Sequence, residues 1–96
     1  MKLLPTETLL TGKWWAKDGR VVADDVCVRI EKLTRTHLRE LGRDASGWDV
    51  LFVDPADGRL WELGYPESGQ HGGGAPELRH LSIQQAKEKY RGITAE

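Results

Sequence analysis

The sequence predicts an α+β fold: a single antiparallel sheet of about four to five strands, one main helix packed on one face and a short C-terminal helix. Three observations lead to this prediction: a hairpin signal between two apolar runs at Asp54–Arg59, apolar residues at helical spacing over Asp25–Leu41, and strand-like segments near both ends. An antiparallel sheet with an aromatic face needs a cover, and the helix is the longest candidate. We expect one domain over residues 1–96, with its core at about 8–91.

Size and charge exclude several classes of protein. The chain has 96 residues, a net charge of −1 and one cysteine, Cys27. This charge gives no pull toward nucleic acid or a membrane surface, and no apolar run approaches the ~20 residues of a membrane span. Because a single cysteine forms no internal disulfide and the N-terminus lacks a signal-peptide pattern, we expect a cytoplasmic protein.

The chain is predicted to begin with a pair of strands. Thr8–Lys17 alternates like a strand, and Asp18-Gly19 is typical of a hairpin turn. Arg20–Ala23 then forms the return strand.

The main helix begins at an acidic cap. Asp24 or Asp25 is expected to cap its N-terminus, where negative charge suits the helix dipole. The helical apolar stripe consists of Val26, Ile30, Leu33, His37 and Leu41. We predict that the helix ends at Leu41, since Gly42 is a typical residue after a helix C-terminus.

A second hairpin is predicted around Asp54–Arg59. Pro55 favours the first turn position, and Gly58 supplies the positive φ that leads into the second strand. Pairing Asp54 with Arg59 sets the register and gathers three facing pairs on one side. The pairs are Phe52 with Trp61, Val50 with Leu63 and Trp48 with Tyr65. The opposite side is mixed, and is either partly covered or an interaction surface. It carries Asp49, Leu51, Val53, Leu60 and Glu62.

Two more elements follow a glycine-rich loop over Pro66–Pro76. Glu77–Leu81 is predicted to form the last strand. Ser82 and Gln85 fit a capping box that opens a short helix through Tyr90.

The loop contains His71-Gly72-Gly73-Gly74, a pattern found in the oxyanion loops of some esterases. Such enzymes also need a Gly-x-Ser-x-Gly nucleophile turn, which this chain lacks. No Lys-Ser/Thr pair follows the glycines as in a phosphate-binding loop. Our interpretation is that the three glycines let the main chain pass close to an indole ring.

The remaining reactive side chains do not form a recognisable site. Cys27, His37, His71 and His80 are widely spaced and lack the short spacing of metal ligands. Cys27 lies beside the apolar stripe and behind two aspartates, which oppose a thiolate. We predict no catalytic residue, no metal and no cofactor.

The region of the second hairpin is acidic. Residues 44–68 hold six acids and one base, Arg59. This is the wrong sign for phosphate, so we do not expect the tryptophans to stack on nucleic acid. It suits a basic protein partner, because complementary potential speeds encounter.

An ordered set of motifs resembles a known family. The motifs are Gly12-Lys13-Trp14, Gly19 to Cys27, Arg29-Ile30, Trp48, Asp54-Pro55-x-Asp57-Gly58-Arg59-x-Trp61-Glu62-Leu63, Tyr65-Pro66 and His71-Gly72-Gly73-Gly74-x-Pro76-x-Leu78. From roughly Leu10 to Tyr90 the chain is similar to immunity protein 27 of bacterial polymorphic toxin systems. The resemblance implies a protein that is not an enzyme and that protects its producer by binding a secreted toxin.

The resemblance and the acidic hairpin together predict a surface that contacts the toxin domain. We expect a one-to-one complex that covers the active site of the toxin or its substrate entrance. The predicted contact residues are Asp49, Leu51, Val53, Asp54, Asp57, Leu60, Glu62, Glu67 and His71. Two alternatives stay open: a small hydrolase-like enzyme that uses the His71 loop, and a homodimer paired through an exposed strand edge.

Overall fold

A five-stranded antiparallel sheet forms the centre of the protein, which confirms the predicted α+β class. The computed structural model describes residues 3–17, 19–45, 47–65 and 75–90. In chain order the elements are β1 (Leu9–Thr11), β2 (Trp14–Lys17), β3 (Arg20–Ala23), α1 (Asp25–Lys32), a π-helical turn (Leu33–His37), β4 (Arg39–Arg43), β5 (Val50–Val53), β6 (Leu60–Gly64), β7 (Glu77–Leu81) and α2 (Ile83–Lys89). The sheet has the order β1-β7-β6-β5-β4, and β2 pairs with β3 in a separate two-stranded sheet.

The segment Thr8–Lys17, predicted as one strand, is two strands in different sheets. The chain leaves the main sheet at Gly12, whose N–H donates to Pro76 O at 2.9 Å. A side chain at Gly12 would collide with Cys27 Sγ, which lies 2.5 Å from the ideal Cβ position. The predicted hairpin that follows is confirmed, because Lys17 pairs with Arg20 across a two-residue connection. Gly19 has a φ of 76°, as that turn requires.

The main helix is shorter than predicted. Asp24 is its N-cap and accepts a hydrogen bond from Cys27 N at 2.9 Å, as expected. The helical turns end at His37, however, and Leu38 is already extended, with a ψ of 148°. Leu41 and Gly42 therefore lie in β4 and not at the end of a helix. The apolar spacing of this segment does not distinguish a helix that continues to Leu41 from a strand that starts at Arg39. Pairing of β4 with β5 decides in favour of the strand.

The second hairpin has the predicted register. Phe52 lies opposite Trp61 and Val50 opposite Leu63, while Asp54 N donates to Arg59 O at 2.9 Å. Gly58 has the expected positive φ of 77°. The ladder stops at Val50, and Trp48 is 68% exposed instead of joining the aromatic side.

Both faces of the sheet are covered, so the molecule has three layers. The core on the α1 side consists of Leu3, Leu10, Ile30, Leu33, Leu38, Val50, Phe52, Trp61 and Leu78. The core on the α2 side consists of Leu51, Val53, Leu60, Leu81, Ala86 and Tyr90. The sequence allows the mixed side of the hairpin to be either partly covered or an interaction surface. In the structure α2 covers it. The predicted capping box at Ser82 and Gln85 opens that helix.

Hydrogen bonds from Arg59 and Arg29 connect the N-terminal segment to the second hairpin and to α1. Arg59 donates to Glu7 O at 2.7 Å and to Leu4 O at 2.9 Å. Arg29 donates to both carboxylate oxygens of Glu7. These bonds hold Leu3 in the core, where it is 5% exposed.

We predict that Gly12→Ala destabilises the fold by about 1–3 kcal/mol, the usual penalty for overpacking. The new Cβ would lie 2.5 Å from Cys27 Sγ and 2.9 Å from Pro76 O. Urea denaturation measures the loss. Adding Cys27→Ala should restore only part of it, since the main-chain contact stays. A stability equal to that of the wild type would contradict the close approach.

The stability of the fold should also fall in acid, because Glu7 then takes up a proton. Hydrogen bonds from Arg29 lower the pKa of Glu7 to about 2, so the unfolded chain binds the proton more readily. The contribution is present above the unfolded pKa of about 4.3 and is lost as the pH falls toward 2. Glu7→Gln should flatten this part of a stability-versus-pH curve, whereas Glu88→Gln, at an exposed position, should leave it unchanged. Equal curves for wild type and Glu7→Gln would contradict the assignment.

Candidate functional site

Asp54, a predicted contact, is used inside the fold. Its side chain is 1% exposed, and Oδ1 accepts a hydrogen bond from Ala56 N at 2.8 Å. His37 Nε2 lies 2.9 Å from the same oxygen, close enough for an ion pair when the imidazole is protonated, although the angle is not that of a hydrogen bond. His37 thus joins the π-helical turn to the hairpin, and Asp54 has no free face for a partner.

Asp57 lies at the tip of the hairpin and keeps part of its surface in solvent. It accepts from Arg59 N at 3.0 Å and from Arg59 Nε at 2.8 Å, and its side chain is 36% exposed. Burial alone would raise the pKa of Asp57, but the hydrogen bonds from Arg59 outweigh it and lower the pKa below its usual value. Arg59 in turn stacks over the Trp61 ring at 5.0 Å. The charge of Asp57 is therefore largely compensated.

The three apolar residues predicted to anchor a partner lie in the core. Leu51, Val53 and Leu60 are 0–5% exposed and pack under Ala86 and Tyr90 of α2. A partner cannot reach them while α2 is in place. The sequence left open whether this side is partly covered or an interaction surface. The spacing of Ala86 and Tyr90, one helical turn apart, is a signal for an apolar helix face that favours the cover.

Glu62 is the buried centre of a charged cluster. It is 5% exposed, and Oε2 accepts from Tyr90 Oη at 2.7 Å. Lys89 Nζ lies 2.8 Å from the same oxygen, and Arg79 Nη2 lies 3.1 Å from Oε1. Lys89 also contacts Asp49 Oδ2 at 2.6 Å. Two acids and two bases thus neutralise each other where α2 meets the sheet.

The cluster is not arranged for acid–base catalysis near neutral pH. Burial would raise the pKa of Glu62, but the hydrogen bonds from Lys89 and Tyr90 lower it below its usual value. Glu62 is therefore ionised and serves as an acceptor. Burial, together with the bond to Glu62, raises the pKa of Tyr90, which keeps its proton. The arrangement fastens α2 to the sheet.

Two other residues singled out in the sequence pack against other parts of the fold, and the rest lie outside the described ranges. Cys27 is 6% exposed, and burial raises the pKa of its thiol. His80 packs edge-on against Trp61, with ring centroids 5.8 Å apart. Glu67 and His71, with Gly72–Gly74, are outside the described residues, so the interpretation of the glycine loop stays a prediction.

No metal cluster or membrane span is found in the described part of the chain. Among residues 3–17, 19–45, 47–65 and 75–90, no three His, Cys, Asp or Glu side chains group as metal ligands do. None of the helices described there has the length and apolar character that crossing a bilayer requires.

A groove that the sequence did not indicate lies on the α1 side of the sheet. It has a volume of about 400 Å³. Cys27, Val28 and Glu31 of α1 form one wall, while the other contains Tyr65 and Pro76. Val28 is 45% exposed, off the stripe that predicted the helix.

We predict that Tyr90→Phe destabilises the protein by about 1–3 kcal/mol, because it leaves a buried carboxylate without one of its donors. Urea denaturation of Tyr90→Phe, Glu62→Gln and the double variant would give the coupling between the two side chains. Tyr65→Phe, at a partly exposed tyrosine, is the control and should change stability little. Additive effects of Tyr90→Phe and Glu62→Gln would contradict a direct bond.

The comparisons with known proteins point to one family. Comparison with curated proteins and with solved structures finds no significant match. The family model of Immunity protein 27 matches residues 16–82, which is more than half of the chain. The matched segment contains α1, the β5–β6 hairpin, and Glu62 and Arg79 of the charged cluster. The chain therefore belongs to the Immunity protein 27 family.

Proposed function

We propose that this protein is an antitoxin that neutralises a cognate toxin domain of a polymorphic toxin system by binding it. The observation that carries the proposal is membership of the Immunity protein 27 family. Binding would cover the active site of the toxin or its substrate entrance, so that the producing cell and its sister cells are protected. The protein would act in the cytoplasm, which is compatible with the free thiol of Cys27.

A stable complex needs only a limited part of the molecular surface. A standard interface buries roughly 800 Å² on each partner. The surface of this protein measures 6573 Å². Because α1 and α2 cover the sheet, that contact would come from helix surfaces, loops and edges and would leave the core intact.

The acidic residues predicted to contact the toxin contribute unequally to such a surface. Asp49 and Asp57 keep part of their surface in solvent at opposite ends of the hairpin, whereas Asp54 and Glu62 are buried. Glu67 and His71 stay predictions. We therefore place the toxin contact on the exposed parts of the hairpin ends and the surface beside them, and not on the hairpin face.

Features of the β4 edge of the sheet disfavour a homodimer paired through that edge. β4 is an edge strand with a register shift between Glu40 and Gly42. It also carries exposed charges at Arg39 and Arg43. Bulges and charges of this kind hinder edge-to-edge pairing.

Co-expression with the C-terminal domain of the toxin that the proposal expects to be encoded beside this gene tests the proposal. We expect growth to be restored and the two proteins to co-purify in equal amounts, because protection requires occupancy. His71→Ala should still restore growth, because no catalytic step is involved and the loss of one predicted contact weakens a complex without abolishing it. Restored growth without a stable complex, lost with His71→Ala in a folded variant, would instead favour an enzyme.

A further inference from the structure

The two edges of the five-stranded sheet differ in how they are protected. At one edge, β4 has a register shift between Glu40 and Gly42 and carries exposed charges at Arg39 and Arg43. The opposite edge is β1, Leu9–Thr11, which has no charged residue and no register shift. Charges and bulges prevent an edge from pairing with another chain. Apart from its short length, β1 therefore lacks the features that exclude an additional strand.

The main-chain groups on the outer side of β1 are available. Thr8 O accepts a hydrogen bond from an N–H of β7, and Gly12 N donates to Pro76 O, both at 2.9 Å. Residues of an antiparallel ladder alternate in this respect, so Leu9 and Thr11 present their N–H and C=O groups away from β7. Within the described part of the chain these outward groups make no hydrogen bond. Such a row of donors and acceptors matches an extended peptide backbone.

The side chains beside this edge indicate which segment would fit it. Leu9 is 53% exposed, and Thr11 lies on the same side of the sheet, where its Oγ1 donates to Glu77 Oε2 at 3.4 Å. Glu77 forms no ion pair with any base in the described ranges, since Arg79, two residues along β7, pairs with Glu62. A strand beside β1 would thus meet an apolar side chain and an acid that lacks a base.

A second copy of this chain fits the edge poorly. Before β1 the chain turns, with Glu7 N donating to Leu4 O at 3.0 Å, and after β1 it leaves the sheet at Gly12. Two copies would therefore overlap over three residues only, whereas a standard interface involves about 20–30 residues on each side. A strand of another protein is not limited in this way, because its own fold can make further contacts beside the edge.

We propose that β1 receives an extended segment of the toxin domain as an additional strand of the main sheet. The inference rests on the proposed function, and it adds the edge of β1 to the exposed hairpin ends as a contact surface. Main-chain hydrogen bonds to Leu9 and Thr11 would hold the segment. An apolar side chain of the segment would pack on Leu9, and a lysine or arginine would pair with Glu77.

Amide hydrogen exchange, followed by NMR on the protein alone and with the purified toxin domain, tests the edge without any substitution. The amides of Leu9 and Thr11 should exchange rapidly in the free protein and at least about tenfold more slowly in the complex. The amide of Leu10, which faces β7, should be slow in both states. Arg43 is the control, because its amide faces away from β5 at the other edge and should exchange rapidly in both.

Titration calorimetry of matched variants tests the same edge through the Kd. Thr11→Pro removes one outward N–H, a change that edge strands tolerate, and should raise the Kd about tenfold, whereas Thr11→Val keeps the N–H and should leave it within about twofold. Leu9→Lys should also raise the Kd about tenfold. Ile83→Lys makes that change at a position on α2 that is 58% exposed and should have little effect. Glu77→Gln should make the Kd less sensitive to salt. Circular dichroism checks that every variant is folded.

The outcomes separate this inference from the proposed function. A wild-type protein that does not bind the toxin domain overturns both. Normal binding with unchanged exchange at Leu9 and Thr11 overturns the edge alone, as does equal weakening by Leu9→Lys and Ile83→Lys. If these two amides become protected in the concentrated free protein, and Thr11→Pro abolishes a homodimer in sedimentation without affecting toxin binding, the edge pairs with a second copy and the inference is wrong.

Discussion

The pairing of β5 with β6 is the constraint on which the rest of the structure depends. The turn from Asp54 to Gly58 fixes which residues lie opposite each other. Because side chains alternate along a strand, the same register sends Phe52 and Trp61 toward α1 and Leu51 toward α2. A shift of one residue would turn these side chains to the opposite face of the sheet, so that neither core would keep its present residues. Since β5 and β6 are inner strands, such a shift would also disturb their pairing with β4 and β7.

The charges of the hairpin show why a count along the sequence misrepresents the surface. Its acids meet bases from distant elements: Arg79 of β7 and Lys89 of α2 contact Glu62, and His37 lies beside Asp54. A buried carboxylate is tolerated only when it is paired and hydrogen-bonded. The acidic residues Glu62 and Asp54, which suggested a binding face, therefore help to hold α2 and the π-helical turn against the sheet. Losing one partner would leave an uncompensated charge, so the cluster also makes the position of α2 specific.

Features with local causes could be predicted, and features decided by distant contacts could not. The turn at Gly58, the capping box at Ser82 and the strand Glu77–Leu81 follow from residues within a few positions of one another. The end of α1 at His37 depends on pairing between β4 and β5, and the break at Gly12 depends on Cys27 and Pro76. The candidate site was harder still, because the exposure of Leu51 or Glu62 depends on where a helix some thirty residues later packs.

The residues that determine the fold are largely separate from those available to a partner. Gly12, Trp61 and Glu62 are buried or tightly packed, and changing them would alter stability. Val28 and Trp48 are exposed, and surface substitutions away from special features usually change stability little. A protein built in this way can vary its exposed side chains without rearranging its core. For an immunity protein this separation matters, because discrimination between related toxins requires contacts that change while the scaffold presenting them stays the same.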